Sequence, residues 1–305
     1  AGNMDIFTDT PIVKKSRHGV MEFLLINHPL DCPICDQGGE CELQDLSMGY
    51  GRSVSRFVER KRVIADEDLG PLVEAEMTRC IQCTRCVRVM AEVAGTYELG
   101  GMERGEMLQI GTHVGKPLMS ELSGNVIDVC PVGALTNKPF RFKARAWELI
   151  ARESIGYHDA LGSNLWLHVR RGEALRAVPR DSEAINECWL SDRDRYSCEG
   201  LRAPERATTP QVKRDGAWFD VDWNEAIRVA SEALRAAPRG GIGALVSPAC
   251  SNEEGHLVAT LVRALGSGHV DHRLRQLDFA GDAGARTFEM PVADVEKADV
   301  IVLVG

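Results

Sequence analysis

The 305-residue chain is too long for one ordinary hydrophobic core, and its length predicts two or three domains. A net charge of −9 excludes general nucleic-acid binding, and no apolar run approaches the roughly 18 residues that a membrane span requires. The N-terminus lacks a signal-peptide pattern, so the ten cysteines are expected in a reducing compartment, where clustered cysteines indicate metal or redox chemistry rather than disulfides.

Both ends of the sequence indicate an internal piece of a longer polypeptide. No initiator Met opens the chain, and the opening segment carries no core of its own. Residues 301–305 have the pattern of a buried strand that runs into a glycine turn. A parallel sheet would continue beyond that strand.

The first half of the chain predicts one long helix followed by cysteine-bearing loops. Apolar residues at Val13, Val20 and Leu24 recur with helical spacing over residues 12–28, and the helix is expected to end at Asn27-His28-Pro29. Downstream, the sequence predicts a loop over residues 29–50, a loop and helix over 72–94, and a Gly-rich segment with short strands over 95–128.

The second half predicts a small β-hairpin and then alternating strands and helices. Strands over Asn164–Arg170 and Ala174–Val178 flank an Arg171-Gly172 turn. Further along come a helix over Trp223–Ala236, a strand over Gly241–Val246, a helix over Ser251–Leu265 with Ser251 and Glu254 as a capping box, and a strand over Ala298–Val304. This alternation predicts a parallel α/β sheet.

The first group of candidate metal ligands is His28, Cys32, Cys35 and Cys41, called the first site below. A 4Fe–4S cluster needs four ligands that converge on one spot, and two cysteines separated by two residues can bind neighbouring irons. Gly38 and Gly39 allow the backbone to bend around such a cluster. A neutral imidazole in place of one thiolate makes the cluster less negative, so its potential is expected above that of an otherwise identical all-cysteine site.

A structural zinc site is the alternative at these residues, because zinc also binds one histidine and three cysteines. Zinc sites usually contain two tight ligand pairs, and here only Cys32 and Cys35 form one. The spacing therefore favours an iron–sulfur cluster.

The second group is Cys80, Cys83, Cys86 and Cys130, called the second site below. Its first three members form a C-x2-C-x2-C run, which is typical of a 4Fe–4S binding loop. Bacterial ferredoxins continue this run with a Cys-Pro pair, but Met90 stands where that cysteine would be. The distant Cys130-Pro131 pair supplies a thiol, and since the first site already has four ligands, Cys130 is assigned to the second.

The remaining cysteines, Cys188, Cys198 and Cys250, are isolated and are predicted to bind no metal. Three arginines flank the C-x2-C-x2-C run, namely Arg79, Arg85 and Arg88, and the sequence gives them no specific role.

Three motifs resemble a known family. They are HPLDCPICDQGGECELQD at His28–Asp45, RCIQCTRC at Arg79–Cys86 and DVCPVGAL at Asp128–Leu135. The chain resembles, over essentially its whole length, the large iron–sulfur subunit of respiratory complex I. That family comprises the G subunit of bacterial NADH–quinone oxidoreductase and the 75 kDa subunit of mitochondria.

The resemblance implies α+β iron–sulfur domains followed by a molybdopterin-oxidoreductase-like small β module and the start of a parallel α/β domain. The implied divisions are 1–13 as the tail of a missing 2Fe–2S ferredoxin-like domain, 14–70 and 71–146 as the two 4Fe–4S domains, 147–203 as the β module, and 204–305 as the truncated α/β domain. A 2Fe–2S cluster is expected only in the preceding domain.

Some family members carry an extra 4Fe–4S cluster in the β module. The resemblance places its ligand positions at or near Gly156, Asp159, Ser163 and Ser191, and none of these is cysteine. The extra cluster is therefore expected to be missing. No residue marks a molybdenum ligand, so no molybdopterin is expected either.

By resemblance, the chain would relay electrons from NADH and FMN towards quinone through two 4Fe–4S clusters, with proton translocation coupled in the whole complex. No bond-making catalytic residue is expected here. The implied partners are the FMN- and NADH-binding subunit and the other iron–sulfur subunits of the peripheral arm. The implied location is the cytoplasmic face of the bacterial inner membrane or the matrix side of the mitochondrial one.

Two other functions share parts of this pattern. The first is the electron-transfer subunit of an NAD-linked or iron-only hydrogenase or of a formate dehydrogenase. Small hydrogenase diaphorase subunits end soon after the Cys-Pro motif, whereas this chain continues to residue 305. Iron-only hydrogenases add cysteine-rich runs, and a catalytic formate dehydrogenase keeps the extra-cluster cysteines. This chain has neither feature, which argues against both. The second, a non-enzyme, is a zinc-stabilised scaffold, which metal analysis would identify.

Overall fold

The computed structural model describes residues 4–159, 161–272 and 292–301. The chain forms two compact units, which divide between Glu199 and Gly200. The finer division into five domains stays a prediction. No helix in the described ranges is both long and apolar enough to cross a membrane.

The first unit combines short helices with small antiparallel sheets. Its α-helices are α1 (Pro11–Leu25), α2 (Glu42–Tyr50), α3 (Arg85–Arg88), α4 (Asn125–Val129) and α5 (Asp192–Tyr196). Its strands are β1 (Val73–Ala75), β2 (Leu99–Met102), β3 (Gln109–Thr112), β4 (Leu135–Asn137), β5 (Ile150–Ile155), β6 (Asn164–Arg170) and β7 (Glu173–Pro179). A π-helical turn (Val89–Val93) extends α3, and 3₁₀ turns lie at Met77–Arg79, Gly105–Met107, His113–Gly115, Ala146–Glu148 and Ser197–Arg202.

Small sheets organise these elements. β1 pairs with β4, and β2 pairs with β3, both antiparallel. β5, β6 and β7 form a three-stranded antiparallel sheet with an irregularity between His168 and Val169. The β1–β4 pair positions the second site, since Cys130 lies shortly before β4 and Cys80 shortly after β1.

Helix α1 begins at a conventional cap and ends before the residue that the sequence predicted. The Thr10 hydroxyl accepts a hydrogen bond from the Val13 N–H (3.3 Å), and Pro11 occupies the first turn, where its missing N–H costs nothing. The helix ends at Leu25 rather than at His28. His28 is therefore a loop residue just beyond the helix C-terminus.

The loop predicted over residues 29–50 is wrong in its second half, which is helix α2. Leu43 is buried, and Glu42 and Asp45 lie in the first turn, where carboxylates favour the helix dipole. Cys41 occupies the N-cap position. The third cysteine of the first site is thus held at a helix end.

The predicted hairpin is confirmed as β6 and β7, but the sequence did not reveal β5 on its other side. All six residues of β5 are exposed, so the strand lacks the alternation that marks a half-buried strand. A three-stranded sheet therefore replaces the expected two-stranded one.

The second unit contains an antiparallel hairpin and a parallel strand pair with helices. Its elements are β8 (Gln211–Arg214), β9 (Ala217–Asp220), α6 (Trp223–Ala236), β10 (Gly243–Leu245), α7 (Asn252–Ala264), β11 (His269–Asp271) and a 3₁₀ turn (Val292–Lys297). β10 and β11 are parallel, as the alternating pattern predicts.

Helices α6 and α7 match their predicted ranges closely. The capping box is present, since the Ser251 hydroxyl accepts from the Glu254 N–H (3.2 Å) and the Glu254 carboxylate accepts from the Ser251 N–H (2.8 Å). The strand predicted over Ala298–Val304 is not formed at residues 298–301, and residues 302–304 lie outside the described residues.

Candidate metal centres

The first site lies on the segment between α1 and α2. His28 follows α1, Cys32 and Cys35 occupy the loop, and Cys41 is the N-cap of α2. Cys35 and Cys41 are buried, whereas Cys32 is exposed. We call residues 28–41 the first-site loop.

The His28 ring is available as a neutral ligand. Its Nδ1 atom is buried and has no hydrogen-bond partner among the described residues. Burial lowers the pKa of His28, although Asp31 and a hydrogen bond with the Arg79 backbone oppose that effect. The imidazole is therefore unprotonated near neutral pH, which is the form that binds metal. A buried nitrogen without a partner fits an iron ligand better than a structural core histidine.

The thiols of Cys32 and Cys35 lie within electrostatic reach of the Cys41 thiol. Burial raises the pKa of Cys41, and the neighbouring Cys35 and Cys32 raise it further by like-charge repulsion. Iron ions would remove this penalty, because they bind the thiolates directly.

Two glycines let the first-site loop fold tightly. A Cβ on Gly38 would lie 2.9 Å from the Cys32 carbonyl oxygen, and a Cβ on Gly39, whose φ is +99°, would run into the Trp147 ring. A larger residue at either position would clash. This fits the backbone bend that the sequence predicts at these two positions.

The second site is one cavity lined by all four of its predicted cysteines. Cys80 follows the Met77–Arg79 turn, Cys86 lies in α3, and Cys130 follows α4. The cavity is lined by Met77, Cys80, Ile81, Cys83, Thr84, Cys86, Ile110, Cys130, Pro131, Val132, Ala134 and Leu135. Apart from Thr84, every lining side chain is apolar or a thiol, so the cavity offers sulfur donors and almost no competing polar group.

Left-handed residues let the C-x2-C-x2-C run curl around this cavity. Gln82 and Thr84 both have a φ of 58°, an uncommon conformation for residues with a side chain. The Gln82 N–H donates to the Cys80 sulfur (3.4 Å). Backbone N–H groups aimed at cluster sulfurs are one means by which proteins adjust the potential.

The electrostatics of the second site favour a bound cation. Burial raises the pKa of Cys86 to about 12, and Cys130, Cys80 and Cys83 add like-charge repulsion. Burial also raises the pKa of Cys130 to about 11. Four thiolates cannot share this cavity unless positive charge is added, and an iron cluster supplies it.

The structure thus gathers the second-site cysteines, including the distant Cys130, in one place. At the first site it places Cys32 and Cys35 within electrostatic reach of Cys41. His28, which precedes them in sequence, has a buried Nδ1 atom without a hydrogen-bond partner among the described residues. Within the described residues, no group of three or more His, Cys, Asp or Glu side chains is arranged to hold a single metal ion. Both ligand sets remain predictions.

The two sites share a wall. A Cβ on Gly133 would collide with the Cys35 sulfur, and the Cys41 thiol donates to the Pro131 carbonyl (3.6 Å). The turn that follows Cys130 therefore packs against two cysteines of the first site. Gly133 is required here because the backbone approaches a sulfur atom closely.

Basic residues from elsewhere in the chain hold the first-site loop, and the sequence did not single them out for this role. Arg79 donates to Asp31 (2.7 and 2.9 Å), and Arg176 donates to both oxygens of Glu40 (2.8 and 2.6 Å). Lys61 and Arg145 donate to backbone carbonyls of the loop instead. Their distances along the chain from the loop explain why no local motif reveals them.

Four family models match successive parts of the chain. In order, they are the NADH-ubiquinone oxidoreductase-G iron-sulfur binding region at residues 17–56, the NADH-quinone oxidoreductase subunit 3 ferredoxin-like domain at 70–136, the NADH-ubiquinone oxidoreductase NDSU1/NuoG-like 4Fe-4S domain at 149–199 and Molybdopterin oxidoreductase at 206–305.

Similar proteins come from bacteria and mitochondria. The G subunit of NADH-quinone oxidoreductase from Rickettsia felis is 46% identical over 308 residues, which are 100% of this chain and 46% of that protein. The mitochondrial NADH dehydrogenase [ubiquinone] iron-sulfur protein 1 of Solanum tuberosum is 48% identical over 99% of this chain and 41% of its own length. The NADH-ubiquinone oxidoreductase 75 kDa subunit of Reclinomonas americana is 45% identical over 99% of this chain and 46% of its own.

The chain belongs to the family of the NADH-quinone oxidoreductase G subunit and the 75 kDa subunit. It spans about half the length of these relatives. Among solved structures, a chain of an NAD+-reducing [NiFe]-hydrogenase in the H2-reduced state aligns at a TM-score of 0.41 and 26% identity, over 45% of this chain and 59% of that one, a likeness too low to identify a fold.

Membership of the 75 kDa family confirms the coarser fold prediction. Iron–sulfur binding domains with small sheets and helices precede a molybdopterin oxidoreductase region. Domains that bind 4Fe–4S clusters are present in the chain. The number of clusters and the identity of each ligand remain predictions.

The model that matches residues 149–199 is named for a 4Fe-4S domain, and two of the four predicted ligand positions in it, Gly156 and Ser191, contact a carboxylate. A Cβ on Gly156 would collide with an Asp194 oxygen, and the Ser191 hydroxyl donates to that carboxylate (3.2 Å). Asp194 is 1% exposed and also accepts from the N–H groups of Tyr157 (3.1 Å) and His158 (3.2 Å).

A second carboxylate completes this arrangement. Asp159 accepts from the Ser163 hydroxyl (2.6 Å) and from the backbone N–H groups of Leu161 and Gly162 (both 2.8 Å). Burial works to raise the pKa of Asp159, but these hydrogen bonds outweigh it, so its pKa is lowered. We call the set Gly156, Asp159, Ser163, Ser191 and Asp194 the Asp194 network.

Proposed function

We propose that this chain is an electron-relay segment of NADH:quinone oxidoreductase and binds two 4Fe–4S clusters. The single observation that carries the proposal is the apolar cavity lined by Cys80, Cys83, Cys86 and Cys130. Family membership supports it, because its bacterial relatives are named for NADH–quinone oxidoreduction.

The proposed ligands of the first cluster are His28, Cys32, Cys35 and Cys41. The buried Nδ1 atom of His28, which has no hydrogen-bond partner among the described residues, supports the histidine, and the electrostatic effect of Cys35 and Cys32 on Cys41 supports the cysteines. Bound clusters would each accept and pass on one electron, and the protein itself makes no bond. The chain's own part is to fix the ligands, to exclude water through burial, and to set the charge around each cluster.

The whole protein's setting follows from the same family. We propose that its partners are the FMN- and NADH-binding subunit and the other iron–sulfur subunits of the peripheral arm. Electrons would then travel from NADH to quinone, with proton translocation in the complete assembly. The location would be peripheral, on the cytoplasmic side of a bacterial inner membrane or the matrix side of a mitochondrial one.

Metal and sulfide analysis tests the proposal directly. The full-length protein, purified anaerobically, is expected to contain iron and acid-labile sulfide in equal amounts and to show two low-temperature EPR signals of 4Fe–4S clusters in a redox titration, beside any signal of a 2Fe–2S cluster in the preceding domain. Stoichiometric zinc without sulfide would refute the proposal and would instead support the scaffold alternative.

The H28C variant tests the histidine ligand. Ligation is preserved, but a thiolate replaces a neutral imidazole. The first-site cluster is therefore expected to remain bound and to titrate at a more negative potential. A signal with unchanged potential and g-values would show that His28 is not a ligand.

A further inference from the structure

Four cations that contact the first-site loop fall into two pairs. Arg79 and Arg176 each donate to a carboxylate of the loop, Asp31 and Glu40 respectively. Each of these charges is therefore offset by a negative charge within hydrogen-bond distance. Lys61 and Arg145 differ, because their hydrogen-bond acceptors are neutral carbonyl groups.

Lys61 caps the end of α1 at the histidine. Its Nζ donates to the Leu25 carbonyl (2.8 Å) and to the His28 carbonyl (2.7 Å). These carbonyls lie at the helix C-terminus and just beyond it, where a cation is favoured. The Lys61 ammonium is therefore bound directly to the backbone of the proposed histidine ligand.

Arg145 likewise donates to backbone carbonyls, in the C-x2-C segment of the first-site loop. Its guanidinium donates to the Cys35 carbonyl (2.6 Å) and, in a second close contact, to the Pro33 carbonyl. It also lies 3.0 Å from where a Cβ of Gly38 would be. The guanidinium therefore holds the carbonyls of the C-x2-C segment in place.

Uncompensated positive charge next to a redox centre favours the reduced state. Reduction adds one negative charge to the cluster, and a nearby cation stabilises that charge, most strongly where water is partly excluded. Within the described residues, neither Lys61 nor Arg145 forms a salt bridge. Neither charge is therefore held by a directly bound carboxylate, although the Asp36 carboxylate of the loop lies within electrostatic reach of Arg145.

We propose that Lys61 and Arg145 are positioning residues that fix the first-site loop through its carbonyls and raise the reduction potential of the cluster bound there. This inference rests on the proposed function, since it needs a cluster at the first site. It separates these two cations from Arg79 and Arg176, whose charges are paired.

The test is an EPR-monitored redox titration of the full-length protein, purified anaerobically. K61Q and R145Q each remove the charge but keep an N–H donor for the carbonyl. Both variants are expected to retain the first-site signal with its g-values and to titrate at a more negative midpoint potential than the unmodified protein. The second-site signal is expected to shift less.

Matched controls separate the local charge from the total charge. R56Q removes a cation from the same segment as Lys61, but Arg56 is bound to Glu22 (2.6 and 2.8 Å). R170Q removes an arginine bound to Glu148 (2.6 Å), a neighbour of Arg145. Each control is expected to shift the first-site potential less than K61Q or R145Q, because Arg56 and Arg170 are bound to carboxylates outside the first-site loop. K61R and R145K keep the charge and are expected to titrate close to the unmodified protein.

Two results would overturn the inference. One is an unchanged first-site potential in K61Q and R145Q. The other is a shift of equal size in the charge-keeping variants K61R and R145K, which would leave only a structural role. If K61Q or R145Q loses the first-site cluster, the inference is decided at the other position, by comparing the midpoint potentials of its Gln variant and its charge-keeping variant. Absence of any first-site 4Fe–4S signal in the unmodified protein would instead refute the proposed function.

Discussion

The second site and the Asp194 network each join a short stretch of the chain to a residue far from it in sequence, Cys130 and Asp194 respectively, but with opposite chemistry. At the second site, thiols with raised pKa values face an apolar cavity. In the Asp194 network, two carboxylates accept hydrogen bonds from hydroxyl and backbone N–H groups of the same module.

The difference lies in how the buried polar groups are stabilised when no cluster is bound. Buried thiols repel one another when ionised and find few hydrogen bonds, so an added iron cluster stabilises them. Asp194 already has three donors within hydrogen-bond distance, and its module needs no added group at that point. The buried carboxylate is thus satisfied by groups of its own module.

The largest expected effect is that of C130A. This variant removes the fourth proposed ligand of the second site, so that cluster should be lost or converted, with the iron content falling by up to about half. The His28-containing site should keep its EPR signal. C188A, which changes an exposed cysteine outside both sites, is the control and should retain both signals. Two full-amplitude signals in C130A would show that the fourth ligand is another residue.

The D194A variant tests the other side of the comparison. It leaves the Tyr157 and His158 N–H groups and the Ser191 hydroxyl without their acceptor in a buried place. We expect a loss of about 2–4 kcal/mol in the free energy of unfolding, measured with denaturant, while both cluster signals persist. D181A, at an exposed aspartate, should change stability little. Unaltered unfolding in D194A would show that the network does not stabilise the module.

A pH series examines how the module is attached to the first-site loop. Burial and the Arg176 charge lower the pKa of His168 to about 4, from an ordinary 6.5. As pH falls from 6.5 to 4, the unfolded chain takes up a proton that the folded chain refuses, so stability decreases by about 1–2 kcal/mol after allowance for partial exposure. H168Q should flatten this pH dependence. An equally steep decrease in H168Q would assign it to other groups.

The smallest expected effect is that of S163A. The Asp159 carboxylate loses the Ser163 hydroxyl (2.6 Å) but keeps two backbone N–H donors. The expected loss is about 0.5–1 kcal/mol in the free energy of unfolding. A loss as large as that in D194A would mean that the two carboxylates act as one coupled unit.

Local patterns predicted those parts of the fold that local chemistry determines. The Ser251–Glu254 capping box and the hairpin around Gly172 follow from adjacent residues, and both are present. Helix α2 was missed, although Leu43 and Leu46 have helical spacing, because the glycines before it suggested one continuous loop. Strand β5 carried no alternating signal at all.

The candidate ligands could be predicted from the sequence because cysteine spacing is a short-range signal. Cys130 was added because the first site already had four candidate ligands. The side chains that surround the candidate ligands could not be predicted from the sequence. Lys61 and Arg145 reach the first-site loop from 33 and 110 positions away in sequence, measured to His28 and Cys35. Likewise, only the folded chain brings the Asp194 carboxylate to Gly156, 38 positions earlier in the sequence.

One buried guanidinium has a further consequence for how quickly charge could move between the sites. Arg79 is 4% exposed, and it joins Asp31 of the first-site loop to Glu76 and to the Gly133 carbonyl (3.5 Å), immediately before Cys80. Tunnelling rates fall steeply as donor and acceptor separate, so thermal stretching of that gap would spread the rate widely. A buried arginine bonded on both sides of the gap would oppose such stretching, so Arg79 would help to keep the distance between two bound clusters constant.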